Sequence, residues 1–197
     1  MRTGRAPRAT AIAIAALTLA ATFVGSAQAN AVPAPVTTTA GPHVAYTDGS
    51  ITSKGPNGEA SRVLDVAEWR TENRSRVQLW QHLTTGNTAN QRWTSVLQYV
   101  RSDGVYVVTI RNNNAPDKCL DESVDKPAAD GTAVYIYSCV PGARNQLWNV
   151  VPRPDGWFWL QNVYDGRCLD VAEYNYSDGA KIQMWTCHTG WNQAWAD

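Results

Sequence analysis

The segment LDVAEWRTENRSRVQLW (64–80) returns without a gap as LDVAEYNYSDGAKIQMW (169–185). Leu, Asp, Val, Ala, Glu, Gln and Trp stand at the same offsets in both. A third version, CLDESVDKPAADGTAVYIYSC (119–139), lies between them and matches CLDVAEYNYSDGAKIQMWTC (168–187) with one extra residue. Each version is followed by a tag: NQRW (90–93), NQLW (145–148) and NQAW (192–195). Three ordered copies constrain the fold more than any composition does. One unit of about 50 residues cannot bury its own apolar face, but three packed around an axis share a core.

The units read as strands. Short alternating runs such as VQLW, VYIY, YVVTI and WFWLQNV are broken by RSDG, RPDG and YDG clusters. No convincing amphipathic helix interrupts them, so the expectation is an all-β fold of three similar units. In IQMW (182–185) the alternation puts Ile182 and Met184 on one face and Gln183 and Trp185 on the other. A single outward aromatic needs no explanation. An outward tryptophan beside an amide, repeated at Gln78 and Trp80, suggests half of a binding site.

Residues 1–29 read as a secretory signal peptide: Arg2, Arg5 and Arg8, an apolar run from Ala11 to Val24, then AQA (27–29). The run is too short and alanine-rich for a good membrane span, so no membrane insertion is expected. Residues 30–43, rich in Pro, Thr and Ala, read as a flexible leader, and 44–197 as the folded domain. The three signal arginines aside, 14 Lys and Arg face 17 Asp and Glu. No basic patch is visible, which argues against a nucleic-acid partner. Cys119, Cys139, Cys168 and Cys187 make an even count in an exported chain, the mark of disulfides. Three connectivities exist, and the repeat favours Cys119–Cys139 and Cys168–Cys187. Each closes a loop worth roughly 3 kcal/mol on chain-entropy grounds.

With its repeated Gln-x-Trp tags and upstream Leu-Asp elements, the chain from about Ser50 to Trp195 resembles the ricin-type lectin family. The resemblance implies a β-trefoil of twelve strands with pseudo-threefold symmetry and one shallow carbohydrate pocket possible per repeat. A sugar offers hydroxyls and a flat C–H face, so a site needs a carboxylate, amides and an aromatic platform. The third repeat supplies Asp170, Gln183, Trp185, Asn192 and Gln193. By the resemblance the Asp accepts from vicinal hydroxyls, the Trp stacks, the Asn adds a hydroxyl contact, and the tag Gln supports the Asp or the pocket wall. The first repeat carries Asp65, Gln78, Trp80, Asn90 and Gln91, with Val63 and His82 at the cysteine positions and Arg74 where Gly131 and Gly179 stand. Both changes are expected to loosen the loop under that pocket. The second repeat is a weaker candidate: Asp121, Asn145 and Gln146 remain, but Tyr137 replaces the Trp and Tyr135 the strand Gln.

Simpler roles compete with these. The tag tryptophans Trp93, Trp148 and Trp195 are expected in the core, and the tag glutamines could mainly bond backbone. No catalytic residue, cofactor or metal site is expected. His43, His82 and His188 show no partnership in sequence, and no G-x-S-x-G, H-E-x-x-H or phosphate loop occurs. Asp121 and Glu122 alternate across a strand and so face opposite ways. The expected function is secreted, noncovalent binding of galactose-like sugars or a polysaccharide such as xylan. Rival readings are a protein-binding trefoil presenting Trp69, Tyr174 and Tyr176, and a small glycoside hydrolase using Glu68 or Glu173.

Overall fold

The structure is a computed structural model and describes residues 49–197. The signal and leader segments, His43 and residues 44–48 of the expected domain lie outside the described residues. Twelve strands form one continuous hydrogen-bonded system. They are β1 (Thr52–Ser53), β2 (Arg62–Val66), β3 (Ser75–Gln81), β4 (Trp93–Val100), β5 (Tyr106–Asn112), β6 (Ala115–Glu122), β7 (Thr132–Ser138), β8 (Trp148–Pro152), β9 (Phe158–Asn162), β10 (Cys168–Val171), β11 (Ala180–Trp185) and β12 (Trp195–Ala196). Among the described residues the only helical pieces are three-residue 3₁₀ turns, and three of these hold the Asn-Gln of the tags.

The pairing is threefold. Strands β1, β12, β9, β8, β5 and β4 pair in that order, and a bridge between Gly49 and Trp93 brings the two ends together as a six-stranded barrel. Three hairpins, β2–β3, β6–β7 and β10–β11, cover one end of it. Their second strands β3, β7 and β11 pair with one another in all three combinations. This is a β-trefoil, each repeat giving four strands.

The core sits at the meeting of barrel and hairpins. Trp93, Trp148 and Trp195 are fully buried, and each indole N–H donates to the backbone oxygen of the Leu preceding a site Asp: Leu64 at 3.0 Å, Leu120 at 3.1 Å and Leu169 at 2.9 Å. The tag tryptophans are therefore core, as expected, and they also fix the height of each Asp. Leu79, Ile136, Ile182 and Met184 fill the space between. Disulfides join Cys119 to Cys139 and Cys168 to Cys187, as the repeat favoured. Turn residues at the tips of the hairpins need positive φ. Gly131 (88°) and Gly179 (80°) adopt it without a Cβ penalty, and Arg74 adopts it at 71°. Rather than loosening, the Arg74 turn keeps the same backbone bond into the next repeat, donating to Ile136 O as Gly179 does to Leu79 O and Gly131 to Met184 O.

The surprise in the core is Glu122. It faces away from Asp121, as alternation requires, and is fully buried where the other repeats place Val66 and Val171. Among the described residues neither carboxyl oxygen accepts a hydrogen bond, and Asp165 is the one side chain placed to share the carboxyl's proton. Burial first, and then the charge of Asp165, push its carboxyl up to about 8.

Candidate functional site

Each repeat builds a pocket on the outer face of its hairpin. The hairpin register sets Asp65 opposite Gln78, Asp170 opposite Gln183, and Asp121 opposite Tyr135. Directly opposed residues point to the same face, so the paired side chains meet.

In the first repeat Gln78 Nε2 donates to Asp65 Oδ1 at 2.9 Å. Asn90 Nδ2 and Gln91 Nε2 donate to Oδ2 at 2.8 and 3.0 Å. The third repeat repeats this: Gln183 to Asp170 Oδ1 at 3.1 Å, Asn192 and Gln193 to Oδ2 at 2.8 and 2.9 Å. Two donors use the lone pairs of Oδ2, and one donor leaves Oδ1 with a lone pair to offer. In the second repeat Asn145 and Gln146 hold Asp121 Oδ2 at 3.1 and 2.7 Å, and no amide stands at position 135 to serve Oδ1.

The tag Gln takes the supporting half of its expected role. Gln91 and Gln193 are fully buried. Besides the Asp, each Nε2 donates to a strand-end carbonyl, and each Oε1 accepts the N–H of Leu83 or His188, with Gln146 and Val140 matching them. No polar atom of this residue is left over for a ligand. It is a clamp that ties Asp, strand end and loop together.

The Asn differs. Asn90 Nδ2 donates to Asp65 and to Val66 O, and Asn192 Nδ2 to Asp170 and Val171 O. Both neighbours are acceptors, so the amide cannot be flipped. Its Oδ1 is then buried without a partner, in both repeats. A buried acceptor left unpaired is costly, and a hydroxyl donated from within the pocket would satisfy it. Asn145 in the second repeat does not share this feature.

The aromatic walls complete the two full sites. Trp185 is 39% exposed and Trp80 half-buried, each lining its own pocket. The strand Gln shares that outward face but lies beneath its neighbours, buried. A second aromatic faces in from the opposite side: Trp69 in the first pocket and Tyr174 in the third. It gets there through two consecutive left-handed residues, Glu68 (56°) and Trp69 (52°), matched by Glu173 (57°) and Tyr174 (53°). Such backbone costs roughly 1–3 kcal/mol per residue and gathers at functional sites. From the sequence, Trp69 and Tyr174 enter only the rival protein-binding reading, with Tyr176; the shared Glu-aromatic pair after Ala67 and Ala172 was the available signal for the pocket. It also missed Arg76 and Lys181, which bond Gln78 Oε1 and Gln183 Oε1 and so turn each amide's N–H₂ toward the Asp.

The volumes are about 230 Å³ for the first pocket, 210 Å³ for the second and 450 Å³ for the third. Burial raises the carboxyls of Asp65 and Asp170 from their ordinary value, and the amide bonds pull against it. Asp121, with fewer amides, is pushed up to about 6. Beside Asp170 stands His188 Nε2 at 3.6 Å, where the first and second repeats have Leu83 and Val140. Glu68 is a rim residue ion-paired with Arg70 at 2.6 Å.

A family described as ricin-type beta-trefoil lectin domain-like matches residues 56–137, 89–185 and 144–196. Among solved structures, the designed threefold-symmetric protein ThreeFoil is similar at TM-score 0.61 and 28% identity, over 74% of this chain and 94% of its own. An exo-beta-1,3-galactanase from Clostridium thermocellum is similar at TM-score 0.63 and 24% identity over 76% of this chain, which spans 29% of that enzyme's chain. The C-half of an earthworm R-type lectin, solved in complex with GalNAc, is similar at TM-score 0.51 and 20% identity, over 75% of this chain and 96% of its own. At such identities the last two show likeness of fold.

Proposed function

The chain belongs to the ricin-type β-trefoil lectin domain-like family, and from that premise we propose that it is a secreted carbohydrate-binding protein with working sites in its first and third repeats. The reading covers residues 44–197 as the binding domain, exported by the 1–29 segment. Two intrachain disulfides in the described domain suit an oxidising, extracellular setting.

One observation carries the proposal. Twice, at matched positions, a carboxylate oxygen with a spare lone pair and a buried, unpartnered Asn Oδ1 stand beside an outward tryptophan. Two acceptors a short reach apart suit two donating hydroxyls, and the indole suits the C–H face of a pyranose. Galactose-like sugars, or a polysaccharide such as xylan, are the proposed ligands, bound without turnover. The GalNAc complex of the earthworm lectin supports the former class. The second repeat keeps its Asp clamp with Tyr137 in place of the Trp and is proposed as a weaker site.

A glycan array followed by calorimetry tests this. Trp80→Ala with Trp185→Ala should abolish most sugar binding while the melting temperature stays near that of the parent. Full binding retained by that double variant refutes the assignment. A protein that ignores every glycan yet hydrolyses a chromogenic glycoside, or captures a protein with both sites removed, points to the rival functions.

A further inference from the structure

Beside the third pocket lies a separate cleft of about 320 Å³ that has no place in the repeat's site. Its walls are Trp159, Gln161, Val151, Thr189, His188 and the Cys168–Cys187 disulfide. The strand register shows which way these residues face. Trp185 pairs with Cys168, and Cys168 with Gln161 on the next strand. Opposed residues share a face, so Trp185, Cys168 and Gln161 form one row across β11, β10 and β9. Trp159 lies two residues along β9 from Gln161 and therefore on that same face, with Val151 opposite it on β8. Phe158, Leu160 and Asn162 alternate inward and are buried. The cleft and the third pocket thus open on one sheet face, and His188 is a wall of both.

The Trp159 ring is fixed before any ligand arrives. Its indole N–H donates to His188 O at 2.8 Å, and the Arg153 guanidinium stacks 4.8 Å from its centroid. Arg153 is itself held by Thr189 O, Gly190 O and Asp155, and it is not part of the cleft lining. Gln161 donates its amide nitrogen to Gly166 O at 2.9 Å and to Cys187 Sγ at 3.8 Å, which leaves its side-chain oxygen without a protein donor among the described residues. An oriented indole beside an amide and a hydroxyl offers an aromatic platform with polar partners, as the third pocket does, without that pocket's carboxylate. In the second repeat the strand positions matching Trp159 and Gln161 carry Thr109 and Arg111, so this platform is not a product of the repeat.

We propose that this cleft is an extension subsite, which takes the next residues of a glycan chain whose first sugar sits in the third pocket. The inference rests on the third-site reading above. Two strand spacings separate Trp185 from Gln161, roughly 10 Å, a gap that a short oligosaccharide bridges across His188. The third repeat then prefers chains over single sugars.

The test uses the full protein carrying Trp80→Ala and Tyr137→Ala, so that only the third repeat reports. Calorimetry compares galactose with linear galacto-oligosaccharides, and xylose with xylo-oligosaccharides. The oligomer of the preferred series should bind about tenfold more tightly than its monomer. Gln161→Ala, which removes little packing, and Thr189→Arg, which fills the cleft, should each erase that gain and leave monomer affinity within about twofold. Trp159→Ala should do the same, provided its melt matches the parent. Equal affinity for monomer and oligomer, or a gain that survives Gln161→Ala and Thr189→Arg, overturns the extension alone. Failure to bind any monomer or oligomer overturns the third-site reading and the extension with it.

Discussion

The second repeat and the third share a frame and differ in what they present. In both, an indole N–H fixes the backbone ahead of the Asp, and the tag Gln clamps the Asp to the strand end and the following loop. In both, a disulfide ties hairpin start to hairpin end. Beyond that clamp the two diverge. The third has Gln183, Trp185, Tyr174 and Lys181 around its carboxylate. The second has Tyr135, Tyr137 and Asp125, with its cation, Arg74, supplied by the turn of the first repeat and paired to Asp125 at 2.7 Å. The difference teaches that the Asp and its Asn-Gln tag serve the fold first. Their presence alone marks a trefoil repeat; in the first and third repeats a strand Gln and a Trp join the Asp and Asn in lining the pocket.

If the frame is shared, damage to it should be equal. Trp148→Ala and Trp195→Ala should each destabilise the protein by about 3–5 kcal/mol, since both remove a buried ring and leave a backbone carbonyl without its donor. Denaturant melts of the two variants check this. A small loss in one and a large loss in the other would break the equivalence of the two repeats.

Damage to the ligand layer should be unequal. Asp170→Asn removes charge-assisted acceptance worth about 1.5–3 kcal/mol, so sugar affinity at the third site should fall roughly ten- to a hundredfold. Asp121→Asn should change total binding by less than about twofold. Calorimetry on folded protein decides it. Equal losses would mean that Tyr137 and the borrowed Arg74 make a full site after all.

Much of this contrast could be read in the chain itself. The tags, the disulfide pairs, the buried tag tryptophans and the outward Trp185 all follow from repeat position and strand alternation. Other features depend on what no local pattern carries. Left-handed Glu68-Trp69 and Glu173-Tyr174 run against residue preference, so the shared Glu-aromatic pair marks the position without foretelling that Trp69 and Tyr174 turn into the pockets. Arg74 reaches the second pocket only because the hairpin tips interlock across repeats. The tag Gln sinks from view because its loop folds back over it. For Glu122 the alternation away from Asp121 was legible, while the burial of a carboxyl at the position of Val66 and Val171 was not.

Glu122 offers a contrast in stability of about 1–3 kcal/mol, the usual cost of burying a polar group whose oxygens accept no hydrogen bond. Glu122→Val restores what the sister repeats have and should stabilise by that amount. The native carboxyl titrates at about 8, above its ordinary value of 4.5. The folded state therefore holds a proton that the unfolded state has already lost between these values. Stability should fall as pH rises from about 4.5 to 8, with Asp121, Asp165 and Arg167 as the charged neighbours. The valine variant should lose this part of the slope. Melts across that range check it; an unchanged slope would assign the pH dependence to other groups.

The smallest effect tests the layer that separates the two pockets. Burial pushes Asp121 up to about 6, with two amides and Arg74 pulling against it and the charge of Asp125 adding to it, where three amides oppose burial at Asp65. Protonation turns Asp121 Oδ1 from an acceptor into a donor and removes the charge that strengthens its bonds, so any binding in the second repeat should weaken as pH drops through about 6. Tyr135 faces Asp121 across the hairpin, its ring 6.2 Å from Tyr137 and 5.7 Å from the Arg74 guanidinium. Tyr135→Gln places an amide where Gln78 and Gln183 stand, with Arg74 near enough to occupy its Oε1 as Arg76 and Lys181 do in the other repeats. The new N–H should lower the Asp121 titration midpoint, read from its carboxyl carbon by NMR. In a Trp80→Ala, Trp185→Ala background it should also strengthen sugar binding near pH 6 by about three- to tenfold, the equivalent of one neutral hydrogen bond. A midpoint that stays at about 6 would mean that Asp121 is held up by its surroundings and not by the missing amide. The tyrosine would then be no fault in the second site but part of a different one.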